Sequence, residues 1–372
     1  MEDVPVLVCV LWPDPESARA CPRGDIDLVY CEHCGLIHNR AYDPALVEYT
    51  DGYENSLHFS EFFQGYIRDF AAAIAARHDL AEKTVVEIGC GDGSFLELIC
   101  DLGKSRGIGY DPSYSPDLPT RPAGGRVEVR RQYYTDETVD ADVDLVVCRQ
   151  VLEHIGEPAP FLATIRRSLS GGDASLVVEV PNSLYTLEQV SLWDVIYEHC
   201  TYWTHGSLAR ALVDSGFDVT HASETYARQF IAVDGRPSAG DSASIEAPVD
   251  DVAALSGEVT RFEAAQRERL EGWQRRLAEL RAEGKKVALW GTGARGVNFL
   301  NTADTERTIE QVVDINPRKH GLCAAGTGQR IGPPETLVES LPDVVVVMNP
   351  NYLEEITASL HALGLRPEVR VA

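Results

Sequence analysis

The sequence predicts an α/β fold: a doubly wound, mainly parallel sheet, preceded by a small cysteine-containing segment and followed by a bridging helix and a second, Rossmann-like α/β unit. Three observations predict it. Between Thr84 and about Asp234, the strand-like runs TVVEI, SRGIGY, GRVEVR, VDLVVC, SLVVEV, FDVTHASE and QFIAVDG alternate with helical stretches, as a sheet covered on both faces requires. VEIGCGDGSF, from Val86 to Phe95, places Gly89, Gly91 and Gly93 between a β-branched strand and an apolar helix. GTGARG, through Gly291, Gly293 and Gly296, repeats strand, glycine turn and helix.

Length and composition set the frame. A chain of 372 residues with 44% hydrophobic residues has room for two to three domains with real cores. No stretch approaches about 20 uninterrupted apolar residues, and MEDVPVLVCVLW carries acid ahead of its apolar run, so neither a membrane span nor a signal peptide is indicated. The cytoplasm is the default expectation. A net charge of -25 repels nucleic acid and argues against a DNA or RNA partner. Any phosphate on a small ligand must be met by local Arg, Lys or backbone N–H groups. Nine cysteines, several inside apolar runs, fit a reducing compartment rather than a disulfide framework.

Residues 1–60 read as a cysteine-containing segment. Cys31 and Cys34 form a C-x-x-C pair, and Cys9 and Cys21 are the other candidate ligands for a zinc ion. A ribbon usually supplies two such pairs and the upstream pair is absent, so a metal-free fold with leftover cysteines stands beside the zinc reading. The polar, aromatic stretch from Tyr49 to Phe59 leads into an amphipathic helix. It is either a helix lead-in or a lid over a ligand, carrying Tyr49, Tyr53 and His58.

Residues 61–237 form the main domain. Glycines let the backbone turn at positive φ and let a ligand lie against it. Asp111, eighteen residues past Gly93, ends a second strand where a carboxylate could take two ribose hydroxyls. Ligand contacts in such a sheet gather after the strands, where Arg149, Gln150, Glu153 and His154 follow the fourth. His154 reads as closing a helical turn near the cofactor or as a catalytic group. From Leu192 to Leu208 the chain packs Tyr197, Glu198, His199, Tyr202, Trp203 and His205 together. Histidine beside a carboxylate and phenols suits a general base, and an aromatic wall with a satisfied histidine is the alternative.

Residues 238–284 begin as a linker and become a long amphipathic helix with Val259, Phe262, Leu270, Trp273, Leu277 and Leu280 at helical spacing. Residues 285–372 carry the second glycine motif, with Asp314 eighteen residues past Gly296. Alone, this would suggest NAD. Fewer than ninety residues remain, so a half-Rossmann module that binds a nucleotide-bearing substrate or merely packs is favoured.

Glu87 followed by Gly89, Gly91 and Gly93 resembles the first motif of class I S-adenosylmethionine-dependent methyltransferases. The resemblance implies a sulfonium amino acid against the loop and its ribose on Asp111, with Glu87, Cys90, Gln150 and His154 among the cofactor contacts. The order of CxxC segment, methyltransferase core, Tyr197-Glu198-His199 motif, bridging helix and glycine module resembles the sugar C-methyltransferases of deoxysugar and antibiotic biosynthesis. Members methylate the carbon beside the ketone of a nucleotide-linked 4-keto-deoxysugar. The resemblance implies a tyrosine pair at Tyr49 and Tyr53, a later pair at Arg228 and Gln229, and further substrate contacts at His58, Arg295 and Asn349. His199 is the expected base, Glu198 its partner, and Tyr197 or Tyr202 the donor to an enolate oxygen. His58 or His154 is next in line as base. A monomer or homodimer is expected. The rival readings are an O- or N-methyltransferase, a nucleotide-responsive binding protein and a dehydrogenase.

Overall fold

A computed structural model describes residues 1–49, 52–115, 125–139, 143–169, 174–240, 243–245 and 252–372. Part of the expected linker, residues 246–251, lies outside the described residues.

Seven strands form the central sheet: β1 Thr84–Ile88, β2 Arg106–Tyr110, β3 Val127–Arg130, β4 Leu145–Arg149, β5 Ser175–Pro181, β6 Phe217–Thr225 and β7 Phe230–Pro237. Their order is β6-β7-β5-β4-β1-β2-β3. The first five are parallel, and β7 and β6 add antiparallel to β5 and to each other. The strand order reverses between β1 and β4. At such a switch point the loops leaving the two strands diverge and leave a crevice at their carboxyl ends. β1 and β4 are almost wholly buried because helices cover both faces, which explains their unbroken β-branched composition.

Successive residues of β1 feed opposite cores, since side chains alternate along a strand. Val86 and Ile88 join Val146, Cys148, Ile165, Leu208 and Phe217, whereas Val85 joins Phe63, Ile67, Phe70 and Ile74 of helix α1, Glu61–His78. α1 opens on Ser60, whose hydroxyl accepts from the Phe63 N–H. Helix α2, Ser94–Gly103, follows the glycine turn and buries Phe95, Leu96, Ile99 and Cys100.

The N-terminal segment is not a separate bead. Its hairpin, Leu28–Tyr30 with Ile37–Asn39, takes Thr201–Tyr202 as a third strand, pairing His38 with Thr201 and Ile37 with Tyr202. This fixes which way the residues around His199 face. Helix α3, Val252–Ala282, then spans two cores: Leu255 and Phe262 pack with Tyr197 and Tyr202, while Leu277 and Leu280 pack with Leu289 and Phe299. The second unit is a parallel sheet of β8 Val287–Trp290, β9 Ile309–Val313, β10 Ile331–Gly332, β11 Val344–Val347 and β12 Glu368–Val371, in the order β10-β9-β8-β11-β12. No described helix is long and apolar enough to cross a membrane.

Candidate active site

The turn after β1 has Gly89, Gly91 and Gly93 at φ of 71°, 54° and 81°, the left-handed region in which a side chain is strained. A Cβ on Gly91 would meet open space, so the backbone there forms the floor of a cradle. Gly89 is pressed against the loop after β4, where a Cβ would stand 2.2 Å from Val151 Cγ2. Cys90 turns its sulfur toward Gly109, so it serves the crevice through backbone and not through its thiol.

Carboxylates line this crevice. Asp111 accepts from the Gly91 N–H at 2.8 Å on one oxygen and from the N–H and hydroxyl of Ser113 on the other. A carboxylate has about four acceptor positions, so one remains for a hydroxyl. Glu87 is 2% exposed, and its Oε2 has no hydrogen-bond partner among the described residues. Burial pushes its pKa up to about 8, with the Arg149 guanidinium, 3.9 Å away, pulling the other way. A buried orphan acceptor facing a backbone cradle fits a cationic amine and a ribose, the two polar ends of S-adenosylmethionine. Gln150, at φ 53°, ends β4 in a strained conformation and donates its N–H to Glu179 O.

One short step from Val151 lies a cluster of titratable groups in which Glu153 is buried and His154 and His199 are half-buried. His154 Nδ1 is 3.0 Å from the carbonyl oxygen of Glu198 and 2.8 Å from the hydroxyl of Tyr49. A carbonyl only accepts, so Nδ1 carries the proton and Nε2 keeps its lone pair. The His199 ring stands edge to face against His154 at 4.9 Å. Burial lowers the pKa of both, His154 to about 4 and His199 well below the usual histidine range, with His154 adding to the effect on His199. Glu198 is fully buried; its carboxylate accepts from Tyr53 Oη at 2.7 Å and from the Val8 N–H at 3.1 Å. Burial raises it to about 7, against those two hydrogen bonds. Glu153 is buried with neither oxygen partnered among the described residues, and burial lifts it to about 8.

Two of the expected phenols have their hydroxyls committed elsewhere, although the Tyr202 ring stands edge-on 6.2 Å from that of His199. Tyr197 is 1% exposed in the N-terminal core, its ring against Gly24 and its hydroxyl accepting from the Asp43 N–H. Tyr202 donates to Ile196 O at 3.1 Å. The pairing of Thr201–Tyr202 with the N-terminal hairpin commits both side chains to packing. Tyr49 and Tyr53, their rings 5.1 Å apart, are the phenols that reach the cluster.

The other expected substrate contacts divide. Gln229 and Asn349 bond reciprocally, amide to amide, at 2.9 Å both ways across the two units. Arg228 is turned out by left-handed backbone at Tyr226, Ala227 and Arg228 and is exposed, paired with Glu188 and Glu224. Arg295 is tied to Asp194 by two contacts, through Nε and Nη2. His58 packs on Phe63 and feels Asp92 of the glycine turn, outside the His199 cluster.

The four cysteines do not converge on a metal. Cys31 and Cys34 face each other in the hairpin turn, whereas Cys9 and Cys21 lie in the apolar core shared with Ala324 and Ala325. Burial raises the Cys9 thiol to about 12, helped by Glu198. Among the described residues only Glu153, His154 and His199 gather with ligand-like spacing.

In the second unit Asp314 is crowded on one oxygen, Oδ2, while Oδ1 takes a single N–H. It accepts from the N–H and hydroxyl of Thr292, from Lys319 Nζ and from the Asn316 N–H.

Sequence reasoning missed Glu179, on which Tyr66, Thr225 and Arg149 converge, and Arg318, which reaches Asp92 at 3.6 Å. Glu179 had a signal: it is the one charge in the apolar strand SLVVEVP. Arg318 had none, since its contact crosses between units.

A methyltransferase-domain family model matches residues 59–222, and a model described as a C-methyltransferase C-terminal domain matches residues 253–366. The chain is a class I S-adenosylmethionine-dependent methyltransferase. This methyltransferase is 27% identical over 289 residues to C-methyltransferase NovU of Streptomyces niveus, covering 73% of its own length and 67% of that protein. It is 35% identical over 108 residues to a probable S-adenosylmethionine-dependent methyltransferase of Mycolicibacterium smegmatis, covering 29% of this chain and 41% of that one. Among solved structures, magnesium protoporphyrin IX methyltransferase of Synechocystis PCC 6803 is 17% identical over 48% of this chain and 84% of its own, at a TM-score of 0.39. At that overlap the strand order of the methyltransferase itself, and not the neighbour, carries the fold.

Proposed function

We propose that this methyltransferase alkylates the carbon beside the ketone of a nucleotide-linked 4-keto-deoxysugar, with His199 as the base. The observation that carries the reading is the placement of His199. It stands half-buried, its pKa lowered by burial, against a histidine that follows the cofactor loop's own contact, Val151. The sugar nucleotide rests on the family resemblance and on the two-unit architecture.

S-adenosylmethionine, when bound, supplies a methyl group on a cationic sulfur that accepts an electron pair. Glu87, Asp111 and the backbone of Gly89 to Gly93 would hold it. His199 takes the proton from the substrate carbon at a ring nitrogen, and the C–H electrons move toward the carbonyl oxygen. The nucleophilic carbon is thereby formed. Tyr49 would donate to that oxygen: with the His154 Nδ1 proton held by the Glu198 carbonyl, that nitrogen has no lone pair to accept the phenol proton. Glu198 stabilises the site from behind through Tyr53.

The test is solvent deuterium uptake at the carbon beside the ketone, with S-adenosylhomocysteine in place of the donor. Exchange that needs His199 supports the proposal. A His199→Ala variant that turns over normally would end it, and methyl transfer to oxygen or nitrogen with no carbon exchange would move the enzyme to the O- or N-methyltransferase class.

A further inference from the structure

Glu153 poses a problem that methyl transfer does not solve. It is 2% exposed, and both carboxylate oxygens lack a hydrogen-bond partner among the described residues. Leaving such a group unpaired in a protein interior is costly. Each of Glu153, His154 and His199 offers one ligand atom within 4.8 Å of the others. His154 meets the further condition that metal-bound histidines usually show: Nδ1 is anchored on a backbone carbonyl, that of Glu198, and Nε2 is left with its lone pair.

We propose that Glu153, His154 and His199 form a binding site for a divalent transition-metal ion of the zinc class, and that an ion seated there inhibits methyl transfer by occupying the nitrogen of the base. Two imidazoles and one carboxylate suit zinc, nickel, cobalt or copper, whereas magnesium and calcium prefer an all-oxygen shell. Bonds of about 2.0–2.1 Å bring tetrahedral ligands to roughly 3.3 Å from one another, so the three side chains close in by rotating. An ion there gives the orphan carboxylate of Glu153 a partner. It also takes the lone pair with which His199 would accept a proton, and the two uses exclude each other. The inhibition rests on the assignment of His199 as base; the site itself does not.

The test is zinc titration of the full chain by calorimetry, with Cys31→Ser/Cys34→Ser as the background that removes the hairpin thiols. One zinc per chain is expected in that background, weakened at least tenfold by Glu153→Gln and by His154→Asn, each checked by a cooperative melting transition that shows the variant folded. Turnover of the wild-type enzyme falls as zinc is added and returns with EDTA. Zinc binding that disappears with the hairpin cysteines, or that ignores Glu153→Gln, overturns the site. Bound zinc with unchanged or faster turnover overturns the inhibition. Should His199→Ala keep its turnover while wild-type zinc binding persists, the base assignment falls and the metal site stands.

Discussion

Tyr53 donates its phenolic proton to Glu198 Oε2 at 2.7 Å, joining two residues 145 positions apart and tying the lead-in of α1 to the residue preceding His199. Glu198 therefore acts through its surroundings and not by facing His199 with its carboxylate. Tyr53→Phe removes one buried hydrogen bond to an ionisable group, a loss of about 1–2 kcal/mol. We expect kcat/KM to fall about 5- to 30-fold with S-adenosylhomocysteine affinity unchanged. Steady-state kinetics beside calorimetry checks this, and an unaltered kcat/KM would remove Tyr53 from the site.

Gly91→Val puts a β-branched side chain at φ 54° and into the open floor of the cradle. Cofactor affinity should drop by about 100-fold or more, since occlusion adds to backbone strain. Calorimetric titration with S-adenosylhomocysteine decides it, with a melting curve to show that the variant folds.

Glu87, lifted to about 8 by burial, is mostly protonated at pH 7 in the free enzyme. A cationic amine beside Oε2 favours the ionised form, so binding S-adenosylmethionine should expel close to one proton and tighten from pH 6 to pH 8. Calorimetry at pH 7 in two buffers of different ionisation heat measures the proton count. Glu87→Gln should bring it near zero.

Glu153 bears on stability with a definite sign. Its carboxyl is raised from 4.5 to about 8 on folding, so the folded chain holds its proton more tightly than the unfolded chain does. Stability from this group is fully present below pH 4.5 and is lost as pH rises through 8. Glu153→Gln abolishes that slope, and the variant should gain on the order of 1–3 kcal/mol relative to wild type between pH 5 and pH 8. Denaturant melts at the two pH values suffice.

The base itself titrates low. Because burial holds His199 below the usual histidine range, it stays neutral and competent at pH 6.5. The acid limb of kcat/KM should fall below pH 6.5, and a limb above 7 would assign the proton to another group.

What could be read from the chain depended on how local the cause was. TVVEI, VDLVVC and SLVVEV announce buried strands because their β-branched runs are long enough to be covered on both faces. Gly89, Gly91 and Gly93 announce their turn because only that residue type holds φ near +70° without strain. The cluster from Tyr197 to His205 was visible as a composition, but its orientation was not. Which phenol faces the site is set by Thr201–Tyr202 pairing with residues 37–38, a contact that local spacing cannot encode. Cys9 and Cys21 went astray for the same reason: an apolar core claimed them. Glu153 stood next to His154 in plain view, and only the absence of any partner among the described residues marks it as unusual.

Lys319 presses its ammonium into the Asp314 carboxylate at the place where a dinucleotide fold would receive its guest. The second unit thus keeps the outline of a socket with a cation of its own already seated on one of the two carboxylate oxygens. Sorting genes by glycine spacing alone would file this chain among oxidoreductases. The lysine five residues beyond the acidic one is visible in the sequence, and it marks where this unit departs from that outline.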